Sequence, residues 1–400
     1  MDMCKYNTVM KTMQELLPIE ILEKLAEETS HGNEKFTILR QMNTLLYAQL
    51  TEKTGLRPIE AGLLANGELQ EYTGTISHSQ ISRVNRDREP ALFKAVFDEV
   101  YAKLRAGNVL TQVPLNYGIL KVLDSTAVQL CLKLFPWAKY RDKTGAVKIH
   151  TLYDMISGCP ESIVLTDGLT HDKKKMSDFV NEPGITYTFD RAYLDHKEFD
   201  RYCESGIFFV TRLKKNAIFK IKKVNAVKDG SAVLSDNIVI LGCPGARMEN
   251  SVRLVQVVDS SNGEEFYIAT NRFDLTAEEI SDIYRLRWSI ETFFKWIKQH
   301  LVIKKFYGTS FNAILIQIYC ALILYCLLKL IHFLHCRNFD FLKMVRLIAN
   351  GLFITLDYLI HCLTPTRPPP SRTRSADKRF DWKREYNAVL YEYDLVDQFV

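Results

Sequence analysis

Apolar residues recur at helical spacing through the first hundred positions. PIEILEKL (residues 18–25) opens with a proline where a first-turn N–H has no helical partner to lose. Residues 36–50 carry an apolar stripe, and 56–65 run into Asn66-Gly67, a C-terminal stop. Leu92, Val96, Val100 and Leu104 repeat every fourth position before Gly107. Between these lies SHSQISRVNRDR (77–88), short, polar and basic, with apolar anchors only at Ile81 and Val84. Two short helices, the second bearing Arg83, Arg86 and Arg88, resemble a helix-turn-helix. A solvated helix on an ordinary bundle has the same pattern, and this segment alone favours neither.

From Gly118 the period shortens. Residues 119–123 form a short apolar run, and Val128, Leu130, Leu132 and Leu134 alternate on one face. Residues 147–153 predict a third strand and 162–165 a fourth or a continuation. A polar stretch over 173–180 follows, then a strand at 185–189, an amphipathic helix at 195–204 and a strand at 207–211. An antiparallel meander followed by helix, strand, helix and strand is the element order of the ribonuclease-H-like fold, an α/β class. Residues 212–273 break this order. Arg212, Lys214, Lys215, Lys220, Lys222, Lys223 and Lys228 precede any acidic residue, and β-like runs at 252–258 and 266–270 alternate with turns at Asp229-Gly230, Pro244-Gly245 and Asn262-Gly263. We read a β-rich insertion. The expected organisation is a helical N-terminal DNA-binding domain over 1–110 and a catalytic domain over 115–340 with its insertion at about 212–273. A helical and basic C-terminal tail over 341–400 contains the extended linker RPPPSRTRS (367–375).

Composition narrows the class. With 47% hydrophobic and 25% charged residues, a disordered, collagen-like or disulfide-scaffold chain is excluded. A net charge of +5 is mild, so nucleic acid would be held by local basic patches rather than bulk charge. Nine scattered cysteines without a C-x-x-C pair read as buried free thiols in a reducing compartment. The N-terminal residues hold no uninterrupted apolar run of the signal-peptide kind, which points to the cytoplasm. Residues 313–328 are apolar apart from Gln317, but a span needs about 20 such residues and Lys329 and His332 follow. A buried core helix is the expected outcome, with no membrane partner.

The candidate chemistry is acidic. Asp124 closes the first predicted strand and Asp190 a later one. A lone carboxylate after a strand is ordinarily a turn former or cap; two at strand ends of one sheet repel unless a cation lies between them, and hard oxygens suit Mg²⁺. The third acid lies in LTAEEISDIYRLRWSIETFFKWIKQHL (275–301), where Thr276 and Glu279 form a capping box. At about 100° per residue, Tyr284, Arg287, Trp288, Glu291, Lys295 and Lys298 share an arc of about 100°. A solvated face rarely concentrates large aromatics among charges, and a core face excludes the charges. His171-Asp172 and Asp195-His196 lack zinc-ligand spacing and read as turn and helix-cap residues.

Tyr284, Arg287, Glu291 and Lys298 spell Y-x2-R-x3-E-x6-K, and with VLDST (122–126) and DRAYLD (190–195) the chain resembles the insertion-sequence DDE transposases of the IS-four family. LFPWAK (134–139), KIHTLYD (148–154) and RPIEAGL (57–63) resemble members with this kind of N-terminal domain; relatives often carry glycine where Ala192 stands. The likeness covers roughly residues 30–335. It implies that Asp124, Asp190 and Glu291 hold two Mg²⁺ ions, with Mn²⁺ able to substitute, for DNA cleavage and strand transfer by cut-and-paste transposition through a hairpin intermediate. Tyr284, Arg287, Lys298 and Lys295 would meet phosphate, Trp288 an extruded base, and Arg191 would assist. Lys148 would reach phosphate too, or face solvent. The implied partners are double-stranded inverted-repeat ends and target DNA, with a dimer formed on paired ends in the cytoplasm at the nucleoid. Two rival readings are a catalytically inactive or domesticated DNA-binding relative and a different nuclease or resolvase on the same fold.

Overall fold

The structure, a computed structural model, describes residues 7–28, 35–107, 115–141, 144–228, 230–259 and 263–364, with the side chains of 25–28 and 115 excepted. The linker at 367–375 and everything beyond it lie outside the described residues, as do Asp229 and Asn262 of two predicted turns. The chain is a mixed α/β protein with a large sheet and N-terminal helices.

Helices α1 (Val9–Leu16), α2 (Ile19–Glu28), α3 (Ile38–Leu50), α4 (Leu56–Leu64), α5 (Gly67–Thr73), α6 (His78–Asp87) and α7 (Pro90–Ala106) come first. The turn between α5 and α6 passes through Gly74 at φ 69°, and Ser77 caps α6 by accepting from Gln80 N. Among the described residues ten strands follow, all in one sheet: β1 (Leu120–Leu130), β2 (Lys139–Arg141), β3 (Thr144–Asp154), β4 (Cys159–Asp167), β5 (Thr186–Phe189), β6 (Phe208–Arg212), β7 (Phe219–Asn225), β8 (Val233–Leu241), β9 (Val252–Val258) and β10 (Glu265–Thr270). Helix α8 (His196–Glu204) joins β5 to β6.

The central order is β4-β3-β1-β5-β6, with β4, β3 and β1 antiparallel and β5 and β6 parallel to β1. The two runs predicted over 119–134 are one strand ending at Leu130. A turn follows, in which Leu134 is 60% exposed. Asp124 is therefore in mid-strand rather than at a strand end. The lysine-rich residues 212–273 form a meander, β7-β8-β9-β10, that joins the main sheet through antiparallel pairing of β10 with β6.

One face of the sheet packs Val122, Val128, Val147, Ile149 and Tyr153 against α10 (Trp288–His300) and α11 (Phe311–His335). The other packs Leu123, Leu152 and Phe189 against Phe199 and Tyr202 of α8 and Met176 of the 3-10 turn at Asp172–Asp178. Helix α9 (Ala277–Leu286) lays Ile280 and Ile283 on Val255, Val257 and Ile268. Helix α11 is apolar on every side because it is surrounded, with 89% of its most apolar window buried. Its one buried amide is satisfied: Gln317 accepts from Tyr307 N at 2.8 Å and donates to the carbonyls of Val302 and Lys305.

Two packing features bear on the expected organisation. Helix α11 packs on α3, α6 and α7, so residues 9–104 share one continuous core with the sheet rather than having their own. Residues 341–364 are not a tail. Helices α12 (Phe341–Asn350) and α13 (Leu356–Leu363) complete that core, and Thr8 pairs with Thr355 while Val9 N donates to Ile354 O. Every described cysteine is free, but Cys131 and Cys243, on turns, are exposed rather than buried.

Candidate active site

Strands β1 and β5 pair in parallel from Leu120–Thr186 to Leu123–Phe189. Strand β5 stops there, and the next residue on each strand is an acid, Asp124 on β1 and Asp190 after β5. Neighbouring strands lie about 4.8 Å apart, so the two carboxylates stand side by side at the carboxyl end of the parallel pair. Burial above all, with Glu291 and Asp190 adding to it, pushes the Asp124 carboxyl up to about 6, against the pull of the Ser125 N–H and of Arg287.

The third acid arrives on the helices predicted over 275–301. The capping box is present: Thr276 Oγ1 accepts from Glu279 N at 3.2 Å, and Glu279 Oε2 accepts from Thr276 N at 2.7 Å. The single predicted helix is two, α9 and α10, divided at Arg287. There Arg287 N donates to Tyr284 O and Ile290 N to Arg287 O, both at three-residue spacing. Ile290, Phe293, Phe294 and Ile297 bury one face of α10, with Phe293 against Tyr153 at 5.4 Å between ring centroids. That packing sets Glu291 over β1, and Lys298 Nζ donates to Ala127 O at 3.2 Å.

Arg287 joins the acids. Only 7% exposed, it places Nη1 2.7 Å from Glu291 Oε1 and 3.5 Å from Asp124 Oδ2. Burial opposes its charge, but Tyr284, Glu291 and Asp124 together hold its pKa above the ordinary value. Among the described residues, no three His, Cys, Asp or Glu side chains stand ready as a metal-holding group; a guanidinium lies between two of the acids instead.

The other predicted contacts divide. Arg83, Arg86, Arg191, Lys295 and Trp288 are on the surface, Trp288 52% exposed with Arg287 Cζ 5.3 Å from its ring. Arg86 is paired with Asp87 at 2.6 Å, and α6 lies against α4 and α11, on a different part of the chain from the three acids. Four residues are not presented outward as expected. Tyr284 is buried between Phe266 and Arg287, so it supports the guanidinium rather than offering a hydroxyl to a strand. Arg287 itself is spent on carboxylates. Arg88, 2% exposed, donates to Gln41 Oε1 at 2.6 Å and to Phe36 O at 2.9 Å, tying the end of α6 to α3. Lys148 turns inward, donating to Thr170 O at 2.8 Å beside Asp172.

Residues without an assigned role in the sequence also meet here. Ser125 Oγ donates to Asp172 Oδ1 at 2.6 Å, and buried His150 lies 3.4 Å from the same oxygen. The Tyr193 hydroxyl, buried with no hydrogen-bond partner, sits among Asp124, Asp172 and Asp190; burial first, then those charges, raises its pKa well above 10. Strand alternation placed Lys148 and His150 on one face, but only the β1–β3 register, Ser125 opposite His150, reveals the cluster.

The family model described as a transposase DDE domain matches residues 119–327, just over half of the chain, and spans all three acids. The chain belongs to the DDE transposases of insertion sequences. A model described as a domain of unknown function matches residues 5–76 of this transposase. A relative named as a transposase in Sinorhizobium fredii is 33% identical over 282 residues, 69% of this chain and 77% of that one. A relative named as the transposase for element IS5377 of Geobacillus stearothermophilus is 29% identical over 333 residues, 82% of this chain and 85% of that one. The piggyBac transposase, solved as a synaptic complex with hairpin DNA, aligns over 93% of this chain and 89% of its own at 12% identity and a TM-score of 0.43, too distant to decide the fold. Transposases of the DDE family act on DNA and generally use divalent metals.

Proposed function

We propose that this transposase binds the inverted-repeat ends of its own element and cuts and joins DNA at Asp124, Asp190 and Glu291. The observation that carries the reading is the meeting of Asp124 and Glu291 on one guanidinium, with Asp190 beside Asp124 at the end of the parallel strand pair, within the matched family region. The strand order β4-β3-β1-β5-β6 supports a ribonuclease-H-like catalytic fold, with β7–β10 as an insertion prolonging its β6 edge. Helices α5 and α6 are read as the helix-turn-helix-like part of a DNA-binding region over residues 1–110, with Arg83 and Arg86 on its outer surface.

The donor chemistry suits hard divalent cations, with carboxylate oxygens from β1, from the residue after β5 and from α10, one of them too buried to ionise at its ordinary pH; Arg287 lies between two of them. Two Mg²⁺ ions held there, replaceable by Mn²⁺, would supply the Lewis acidity that activates a water or 3′-hydroxyl and steadies the leaving oxygen. The protein's own residues do the rest. Arg287 spaces Asp124 from Glu291 and screens their repulsion. Lys298 ties α10 to β1, while Lys295 and Arg191 offer phosphate contacts and Trp288 a stacking surface. The reaction is cut-and-paste transposition with a hairpin on the element end, carried out by a dimer on paired ends in the cytoplasm at the nucleoid.

Gel-shift and nicking assays on one labelled end test this. Asp190→Asn and Glu291→Gln should abolish cleavage and leave end binding within about two-fold, because the charge removed faces the metals rather than the DNA. Chelation should stop the wild type, and Mg²⁺ or Mn²⁺ restore it. Full cleavage by Glu291→Gln would end the assignment.

A further inference from the structure

We propose that Asp172 is a positioning residue for Asp124, acting from the opposite face of β1. The inference rests on the reading of Asp124 as a catalytic acid. Asp124 and Ser125 are successive residues of one strand and so project to opposite faces. On the α10 face stands the Asp124 carboxylate, whose Oδ1 accepts from Ser125 N at 2.8 Å. On the other face, Ser125 Oγ donates to Asp172 Oδ1 at 2.6 Å. Ser125 is thus held from both sides, and its amide aims the acid.

Asp172 is fixed in turn by β3. Lys148 Nζ stands 3.4 Å from Asp172 Oδ1 and donates to Thr170 O at 2.8 Å. His150, opposite Ser125 in the register, closes the space behind. Its Nε2 lies 3.0 Å from Thr166 Oγ1, and that hydroxyl donates to Asp167 O, so it accepts from His150 Nε2–H. Nδ1 then faces Asp172 without a hydrogen bond. Neutral His150 is a buried wall, and Lys148 supplies the counter-charge. The burial of Lys148 is explained by this pairing. An ion pair used only to hold a loop would have no reason to engage the residue whose amide meets a catalytic acid; groups that orient ligands typically change activity by about 10- to 100-fold when removed.

The test uses the full chain and five variants: Asp172→Ala, Asp172→Asn, Ser125→Ala, the Asp172→Ala/Ser125→Ala double, and Asp124→Asn as reference. Single-turnover nicking is measured across DNA concentrations, with hydrogen exchange at residues 123–127 in metal-free protein. Asp172→Ala and Ser125→Ala should each lower the maximal rate about 10- to 100-fold with the DNA concentration for half-saturation unchanged, and the double should be no slower than the slower single. Exchange at 123–127 should quicken in both. Asp172→Asn, whose Oδ1 still accepts from Ser125 and Lys148, should recover most of the rate. Additive losses, full activity in either alanine variant, or an Asp172→Asn as inactive as Asp124→Asn would overturn the proposal. Should Asp172→Ala fail to fold, Ser125→Ala and Asp172→Asn decide it alone. Normal cleavage by Asp124→Asn would instead overturn the catalytic reading itself.

Discussion

Asp124→Asn should make the metal-free protein more stable while removing strand cleavage. The Asp124 carboxyl stands at about 6, against 3.8 without the fold around it, because burial disfavours its charge. Between those values the folded state keeps a proton that the unfolded chain has released. Stability from this group is therefore present at low pH and falls as pH rises through the window, a loss of about 3 kcal/mol by pH 7. Asparagine has the same shape, and its Oδ1 can still accept from Ser125 N. The 3.5 Å contact with Arg287 lost in the variant is already counted in that value, and the 2.7 Å contact of Arg287 with Glu291 remains. The variant should gain about 2–3 kcal/mol at pH 7, with the gain shrinking below about 1 kcal/mol towards pH 4. Urea unfolding of both proteins in chelator, at each pH from 4 to 8, reads the difference and cancels every other titrating group. In saturating Mg²⁺ the order should reverse, since only the wild type gains binding free energy. An asparagine variant less stable at pH 7, or a difference independent of pH, would refute the reasoning.

His150 should show the opposite slope: burial first, with Lys148 adding, lowers its pKa from 6.5 to about 4, so its contribution is intact above 6.5 and lost as pH falls towards 4. His150→Gln should then flatten acid destabilisation in that range, and matching acid limbs would refute it. Lys295→Ala, on the exposed side of α10, should reduce the salt-dependence slope of DNA binding by about one and leave stability within about 0.5 kcal/mol; an unchanged slope would remove Lys295 from the DNA path. Phe97→Ala, where α7 meets Tyr319 of α11 at 5.9 Å between ring centroids, should cost about 3–5 kcal/mol and lower one shared unfolding transition of helices and sheet. A sheet transition that stayed in place would show the N-terminal helices to be independent.

Much of this was legible because local patterns carry it. Strands β9 and β10, the Thr276 capping box and the buried course of α11 follow from alternation, cap chemistry and uninterrupted apolarity. The motif letters located Asp124, Asp190 and Glu291. What stayed hidden depends on distant partners. Whether Arg88 meets DNA or Gln41 is decided by α3, 47 residues earlier, and the same arginine would read alike on either surface. Tyr284 and Arg287 share a helical arc with Trp288, yet the interruption at Arg287 and the packing of Phe266 bury the first two and leave the third exposed. The shared packing of the N-terminal helices and the sheet was hidden for a related reason: α11 reads as a core helix, but nothing in its sequence says whose core it fills.

The charges divide by function. The chain carries +5 overall, yet Arg287 meets both Asp124 and Glu291, two negative charges on one positive, with Asp190 next to Asp124 across the parallel strand pair. Lys298 Nζ is engaged at a carbonyl, and Lys148 is taken by Asp172 on the far side of β1. The local deficit is therefore not a consequence of composition, since cations are plentiful nearby but directed elsewhere. A site where acids outnumber the guanidinium would attract small cations, while Lys295 and Arg191, the proposed phosphate contacts, lie on the surface. Because both attractions act within one region, neither can be strengthened freely. More lysine around the acids would neutralise the deficit, and more acid would repel DNA. Arg287 resolves the conflict as a buried cation that lowers repulsion between Asp124 and Glu291 without filling the space beside Asp190. A lysine there would not do the same, because it lacks the planar guanidinium that lies against the Tyr284 and Trp288 rings and so holds Nη1 at both carboxylates. Arg287→Lys should therefore keep the net charge and still lose cleavage, with DNA affinity unchanged; wild-type cleavage rates in that variant would show that charge alone, not geometry, is what the site requires.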